Sequence, residues 1–130
     1  MTTVLLDSHV VHWWSAEPDR LSAAALDAVE SVDELAVASI SWFELAWLAR
    51  HERITLAVPL RAWLRVLADR LRTIPVTPEI AATAVSLPSS FPGDPADRLI
   101  YATAVEHGCQ LVTKDRRLRE HPHPGDTTIW

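Results

Sequence analysis

Apolar and polar residues alternate along the chain in a way that predicts strands and helices in turn. The short apolar runs VLLD, residues 4–7, and LAVAS, residues 35–39, are typical of strands buried in a parallel sheet. The stretch LRAWLRVLADRLR, residues 60–72, instead repeats its leucines and tryptophan at helical spacing. The same criteria predict further strands over residues 73–76, 109–115 and 127–130. They predict further helices over residues 9–14, 20–32, 40–54, 77–87 and 94–108, and an irregular tail over 116–126.

Capping signals mark the later helices. Thr77 stands before Pro78, as an N-cap stands before proline at the first helical position, and Gly108 suits a helix end. Strands that alternate with helices favour a parallel sheet covered on both faces. No repeat or long linker divides the chain. We therefore predict an α/β fold with four or five parallel strands, in a single domain spanning residues 1–130.

The composition is that of an ordinary globular protein. A chain of 130 residues, 48% hydrophobic and 22% charged, fits one domain with one core. The lone Cys109 excludes an internal disulfide and favours a reducing compartment. The first residues lack the basic leader of a signal peptide, and no apolar run approaches the length of a membrane span. We expect a cytoplasmic protein with no membrane association.

The segment SISWFELAWL, residues 39–48, poses a chemical problem. Its one acid, Glu44, lies among apolar residues, and no Lys or Arg occurs within four residues on either side. A buried carboxylate without a partner is unfavourable and tends to take up a proton. Either this side chain reaches water or another group compensates its charge.

Further acids fall where strands end. Asp7 ends the first predicted strand, and Asp115 ends the strand predicted over residues 109–115. Glu44 follows the second strand by about one helical turn. Since ligands of open parallel sheets bind beyond the carboxyl ends of the strands, these side chains are expected at one edge. Asp94 and Asp97 open a helix whose inward face points to the same edge.

Such a gathering of carboxylates predicts a divalent cation. Like charges at close range repel and raise each other's pKa values, and hard oxygen ligands suit Mg²⁺ or Mn²⁺. Ions held in this way commonly serve phosphoryl chemistry. The net charge of −5 argues against non-specific nucleic-acid binding. Cationic residues that could hold phosphates nevertheless cluster late in the chain, at Arg98, Lys114, Arg116 and Arg117.

Structural roles are open alternatives for most of these residues. Asp94 before Pro95 is an ordinary N-cap, Asp97 then favours the positive end of the helix, and Asp115 could cap the turn that follows it. Ser8 and Thr113 are either strand-end hydroxyls or partners of the acids. The tryptophans are more typical of a core than of a cofactor site, although so many in a small domain favour a protein interface as well.

Four motifs, LLDSH, SWFEL, DPADRLIYATA and LVTKD, occur in this order between residues 4 and 115. Together they resemble the PIN-domain ribonucleases, and in particular the VapC-type toxins of type II toxin–antitoxin modules. The resemblance implies an endoribonuclease that depends on Mg²⁺ or Mn²⁺ and cuts RNA, often tRNA or rRNA. It also implies a homodimer silenced by a VapB-type antitoxin, for which the helices that carry Trp42, Trp47 and Trp63 look suited.

The resemblance assigns roles by position. It implies catalytic and metal-binding roles for Asp7, Glu44, Asp97 and Asp115, and an additional or water-mediated ligand at Asp94. Ser8 and Thr113 match the hydroxyl residues that accompany the acids. Lys114 and the arginines named above would contact RNA.

Three other functions remain possible from the residues. A phosphatase with an aspartyl nucleophile requires Asp-x-Asp after the first strand, whereas this chain has Asp7-Ser8-His9. A receiver domain uses a late lysine, which Lys114 could supply, but it also requires an adjacent acid pair that is absent. A catalytically inactive interaction module would have lost some of the acids, and none is lost.

Overall fold

A computed structural model describes residues 1–121 and 127–130. Its centre is a sheet of five parallel strands in the order β3-β2-β1-β4-β5, which confirms the predicted α/β architecture. Leu5 of β1 pairs with Ala36 on one side and Leu111 on the other, so β1 lies in the middle. The strands are β1 Thr3–Leu6, β2 Glu34–Ala38, β3 Arg72–Ile74, β4 Gln110–Val112 and β5 Thr128–Ile129.

Seven α-helices and a short 3-10 helix, Pro18–Arg20, connect the described strands. Most agree with the predicted segments. The α-helices are α1 Ser8–Ala16, α2 Ala23–Ser31, α3 Ile40–Arg50, α4 Leu60–Ala68, α5 Pro78–Ser86, α6 Pro95–His107 and α7 Arg116–Arg119. No helix in the described part of the chain is long and apolar enough to cross a membrane.

Three predicted boundaries were wrong. The helix predicted over 60–72 ends at Ala68, because Arg72–Ile74 pair with Ala36–Ala38 of β2 as a strand. The helix predicted over 40–54 ends at Arg50. The tail predicted to be irregular over 116–126 begins with α7, since Asp115 caps that turn; residues 122–126 lie outside the described residues.

The sheet separates two apolar cores, which is why its strands are hydrophobic on both faces. Along β1, Val4 and Leu6 face a cluster that includes residues of α1 to α4, while Leu5 faces the cluster of α5 and α6. Leu5 and Leu6 are both fully buried. Because β1 is fixed on both faces and both edges, the residue that follows it is held firmly at the carboxyl end of the sheet.

Candidate active site

The five predicted acids line one cavity at the carboxyl edge of the sheet. Asp7 directly follows β1, Asp115 follows β4, and Glu44 lies on α3 after β2, so strand ends place three of them. Asp94 and Asp97 come from the start of α6. The cavity measures about 610 Å³, and its remaining walls are His9, Trp13, Lys114 and Arg117. Acids from four segments therefore share one site, as the strand-end argument predicted.

Asp7 is the most buried of the acids. Its side chain caps α1 by accepting a hydrogen bond of 2.8 Å from the Ser8 backbone N–H. Its other oxygen accepts a bond of 2.7 Å from the Thr113 hydroxyl. Burial raises the pKa of Asp7, and these two bonds counteract part of that shift. Two fixed donors thus hold this buried carboxylate in place.

Glu44 compensates its partial burial through hydroxyl groups. The Ser8 hydroxyl donates a hydrogen bond of 2.7 Å to Glu44 Oε1, and the Ser8 and Ser41 hydroxyls lie 2.9 Å apart. Burial raises the pKa of Glu44, and the nearby charges of Asp7 and Asp94 raise it further. No basic side chain neutralises Glu44 within its own helix, so the problem posed by the sequence is solved by hydroxyl contact and by an easier protonation.

Asp97 is affected both by burial and by the neighbouring acids. Burial raises its pKa to about 7, and the charges of Asp94, Asp7 and Asp115 contribute. Asp94 also caps α6, because its Oδ1 accepts a hydrogen bond of 3.1 Å from the Asp97 N–H. Capping and a place in the cavity are therefore compatible at Asp94.

Arg117 joins two of the acids. Its Nη2 lies 3.0 Å from Asp115 Oδ2 and 3.3 Å from Asp97 Oδ2, while its side chain remains 65% exposed. Burial acts to raise the pKa of Asp115, but hydrogen bonds and charge from Arg117 outweigh it and leave that pKa below its usual value. This arginine supplies in part the positive charge that the acidic cavity requires.

The predicted basic residues have different surroundings. Lys114 and Arg117 line the cavity, whereas Arg116 pairs with Glu120 at 3.3 Å and is not part of the cavity wall. Arg98 donates five hydrogen bonds of 3.0–3.3 Å to backbone carbonyls of Ala84, Leu87, Pro88, Phe91 and Pro92. These donors hold the end of α5 and the segment that leads to α6, and the RNA contact of Arg98 stays a prediction.

The acids are close enough to influence one another without already enclosing an ion. Among residues 1–121 and 127–130, no three Asp, Glu, His or Cys side chains are arranged to hold a single metal. Each carboxylate instead has its own protein partner: Thr113 for Asp7, Ser8 for Glu44 and Arg117 for Asp97.

Three residues of the site were missed by sequence reasoning. Ser41 was not considered, although it lies three residues before Glu44 and hence on the same helical face. His9 was given no role in the site, and Trp13 was grouped with the tryptophans of the core, yet both line the cavity. They lie four residues apart on α1 and so share one helical face, which was a usable signal.

Comparison with known proteins identifies the fold family. Residues 4–124 match the PIN domain. The chain belongs to the PIN-domain family. The match spans nearly the whole chain and includes every acid of the cavity.

Relatives of this PIN domain include a close one. This chain is 72% identical to Ribonuclease VapC22 of Mycobacterium tuberculosis, over the full length of both chains. Among solved structures, a DNA-bound VapBC from Salmonella typhimurium superimposes with a TM-score of 0.72 at 19% identity, covering 98% of this chain and 97% of that one. A toxin–antitoxin complex from Klebsiella pneumoniae gives 0.69 at 21% identity and covers 92% of each chain. At such identities the structures support the fold, and the first relative bears on activity.

Proposed function

We propose that this PIN domain is the toxin of a type II toxin–antitoxin module and hydrolyses phosphodiester bonds in RNA. The observation that carries the proposal is the convergence of Asp7, Glu44, Asp94, Asp97 and Asp115 on one cavity. The name of the 72% identical relative, a VapC ribonuclease, supports it. We propose tRNA or rRNA as the substrate class and the cytoplasm as the place of action. The retention of all five acids argues against an inactive interaction module.

A divalent cation fits the residues of this site. All candidate ligands are carboxylate oxygens, the donors that Mg²⁺ and Mn²⁺ prefer. Burial raises the pKa values of Asp7, Glu44 and Asp97, and the charges of neighbouring carboxylates raise them further, which a bound cation would counteract. Asp7, Glu44 and Asp97 would hold the ion, with Asp115 and Asp94 beside them. When bound, such an ion supplies Lewis acidity toward water and phosphate oxygens.

The protein's own groups prepare and complete this chemistry. Thr113 and Ser8 hold Asp7 and Glu44 in position by hydrogen bonds to their carboxylates. Asp97, whose pKa is raised to about 7 by burial and by neighbouring carboxylates, must release its proton before it can hold the ion. Arg117 and Lys114, both exposed at the cavity, bind the phosphates that flank the cleaved bond.

We propose a homodimer and a VapB-type antitoxin as partners. Solved structures of similar fold are described as toxin–antitoxin or VapBC complexes. On this chain Phe43 is 66% exposed and Trp47 is 45% exposed, next to Glu44. Trp42 and Trp63 are partly buried against the core instead. Of the three tryptophans, Trp47 is therefore the one best placed to contact an antitoxin near the active site.

The decisive experiment is RNA cleavage by purified protein in Mg²⁺ or Mn²⁺. We expect the unsubstituted protein to cut RNA. Asp7→Asn and Asp97→Asn should each lose roughly 100-fold or more in rate, because each removes a charged ligand of the ion. Asp19→Asn, at an exposed acid of the 3-10 helix, is the matched control and should cleave normally. Equal cleavage by all four proteins would indicate a contaminating nuclease and defeat the proposal.

Growth provides an independent readout. Expression of the chain without an antitoxin should arrest growth, and Glu44→Gln, which keeps the side-chain shape but removes its charge, should relieve the arrest. Arrest that persists with soluble Glu44→Gln would contradict the role of this carboxylate.

A further inference from the structure

Trp13 contributes an aromatic surface to the wall of the acidic cavity, which is otherwise lined largely by carboxylates. It belongs to α1, six residues after Asp7, and the same cavity is lined by His9 and Lys114. Lys114 Nζ and Arg20 Cζ each lie 5.6 Å from the centre of its ring, and the His9 ring lies at 5.9 Å. An aromatic side chain surrounded by cationic or titratable groups thus borders the site.

The ring of Trp13 is packed against the protein, whereas its cationic neighbours are exposed to solvent. Trp13 is partly buried, packs against the apolar core and meets Trp130 at 6.0 Å between ring centres. Lys114 is exposed, and the Arg20 side chain is 56% exposed. An exposed cation–π contact is weaker than the stacking of a nucleobase on an aromatic ring, so a base could displace either cation.

These features together suit single-stranded nucleic acid. Proteins bind such strands by pairing aromatic surfaces, on which bases stack, with cations that follow the phosphates. Trp13 supplies the surface, and Lys114 and Arg20 supply the cations. Because Trp13 and the acids line the same cavity, this surface lies next to the groups that would act on a phosphate.

We propose that Trp13 is a stacking platform for one nucleobase of single-stranded RNA, adjacent to the cleaved phosphate, and that Lys114 binds a neighbouring phosphate. The inference rests on the proposed ribonuclease function and adds the residue that holds the substrate: one unpaired nucleotide stacks on Trp13, on the α1 side of the cavity. Stacking tolerates any base, so the platform holds a strand without specifying its sequence.

The neighbouring Trp14 offers a matched control. It lies on the same helix, is also partly buried and is also covered by a cation, since Arg70 Cζ lies 4.2 Å from its ring centre. It does not line the acidic cavity. A change at Trp14 therefore reproduces the loss of an indole from α1 without altering the proposed platform.

The test measures RNA binding in the cleavage-impaired Asp97→Asn background, with Mg²⁺ present. The probes are a fluorescein-labelled uridine 12-mer and a 12-mer of abasic ribose phosphates, which has the same charge but no bases. Fluorescence anisotropy should show that Trp13→Leu weakens uridine binding about tenfold, while Trp13→Phe and Trp14→Leu stay within about threefold. Trp13→Leu should bind the abasic oligomer as well as its parent does.

The outcomes separate this inference from the function on which it rests. Equal uridine binding with and without Trp13, or an equal loss for both oligomers, would overturn the platform even if the protein cleaves RNA. Discrimination between the oligomers that depends on Trp13 would support it even if cleavage fails. Should Trp13→Leu not fold, as judged by circular dichroism, the parent's preference for uridine over the abasic oligomer and its retention in Trp13→Phe decide the question.

Discussion

Thr113 donates a hydrogen bond of 2.7 Å to Asp7, although 106 residues separate them in the chain. The contact is possible because β1 and β4 are neighbours, with Leu6 in register with Val112, so the residues just beyond each strand meet. Thr113 is fully buried. A hydroxyl at the end of one strand thereby fixes and helps to ionise the carboxylate at the end of the next.

Replacement of Thr113 by valine should weaken divalent-ion binding. The hydrogen bond from Thr113 lowers the pKa of Asp7 against the effect of burial, so its loss favours the protonated acid, which binds cations poorly. Loss of such a supporting contact typically weakens metal affinity by about 10–100-fold. Isothermal titration of Mn²⁺ at pH 7 measures the effect, and binding should recover as pH rises.

Thr113→Ser is the control for that experiment, since it retains the hydroxyl and removes a methyl group. It should bind Mn²⁺ within a few-fold of the unsubstituted protein. Equal affinity for Thr113→Val and Thr113→Ser would show that the hydroxyl does not support the site.

Arg117→Gln should have opposite effects on the binding of the divalent ion and on the binding of RNA. Arg117 pairs with Asp97 and Asp115, so it competes with a cation for their oxygens. Its removal should strengthen Mn²⁺ binding a few-fold, a modest change because the guanidinium is 65% exposed and screened by solvent. RNA affinity should fall, with a shallower dependence on salt. Calorimetry and anisotropy on the same protein distinguish this pattern from general damage, which would weaken both.

Much of this arrangement followed from the sequence because strand ends determine position. Asp7 comes directly after an apolar run and Asp115 three residues after another, and parallel strands deliver such residues to one edge. Glu44 was recognised as a candidate because no Lys or Arg occurs within four residues of it. These inferences required only local patterns and one rule about sheets.

Other features depend on contacts that only the fold creates. Arg117 pairs with Asp97 across 20 residues, and the five carbonyls bound by Arg98 belong to a segment that folds back on α6. Charge alone made Arg98 a candidate for RNA contact, since a guanidinium that binds phosphate and one that binds carbonyls look identical in sequence. The strand at Arg72–Ile74 was likewise decided by its pairing with β2 against the helical pattern before it.

The raised pKa of Asp97 predicts that the metal-free protein loses stability as pH rises. A carboxyl with a folded pKa of about 7 and an ordinary value of 3.8 contributes fully below about pH 4, and its contribution is lost as pH rises to 7. At roughly 1.4 kcal/mol per pKa unit the effect is at most about 4 kcal/mol. Asp97→Asn should therefore unfold at a higher temperature than the unsubstituted protein at pH 8 in EDTA, with little gain at pH 4.

Divalent ion provides the complementary arm of that experiment. Mn²⁺ at pH 8 should raise the unfolding temperature of the unsubstituted protein, because a ligand that binds only the folded state stabilises it. The rise should be much smaller for Asp97→Asn. A pH-independent difference between the two proteins would contradict the electrostatic origin of the shift.

Replacement of Arg98 should lower the stability of the protein and thereby disturb the position of the active-site acids. Its five hydrogen bonds hold carbonyls between Ala84 and Pro92, and its guanidinium also lies 5.6 Å from the Phe91 ring centre. The held segment leads directly into Asp94, the cap of α6, and so helps to determine where that helix and its Asp97 lie. Arg98→Met should lower the free energy of unfolding by about 2–4 kcal/mol, because several carbonyls lose a charged donor.

Urea unfolding of three variants makes this test specific. Arg98→Lys should recover part of the loss, since a lysine ammonium has three donors and lacks the planar fork of arginine. Arg119→Met, at an exposed arginine of α7, should change stability by less than about 0.5 kcal/mol. Because the segment positions Asp94 and Asp97, Arg98→Lys that remains folded should also bind Mn²⁺ more weakly. Unchanged stability in Arg98→Met would show instead that α6 and its capping carboxylate are held by the apolar contacts of Phe91 and Ile100 alone.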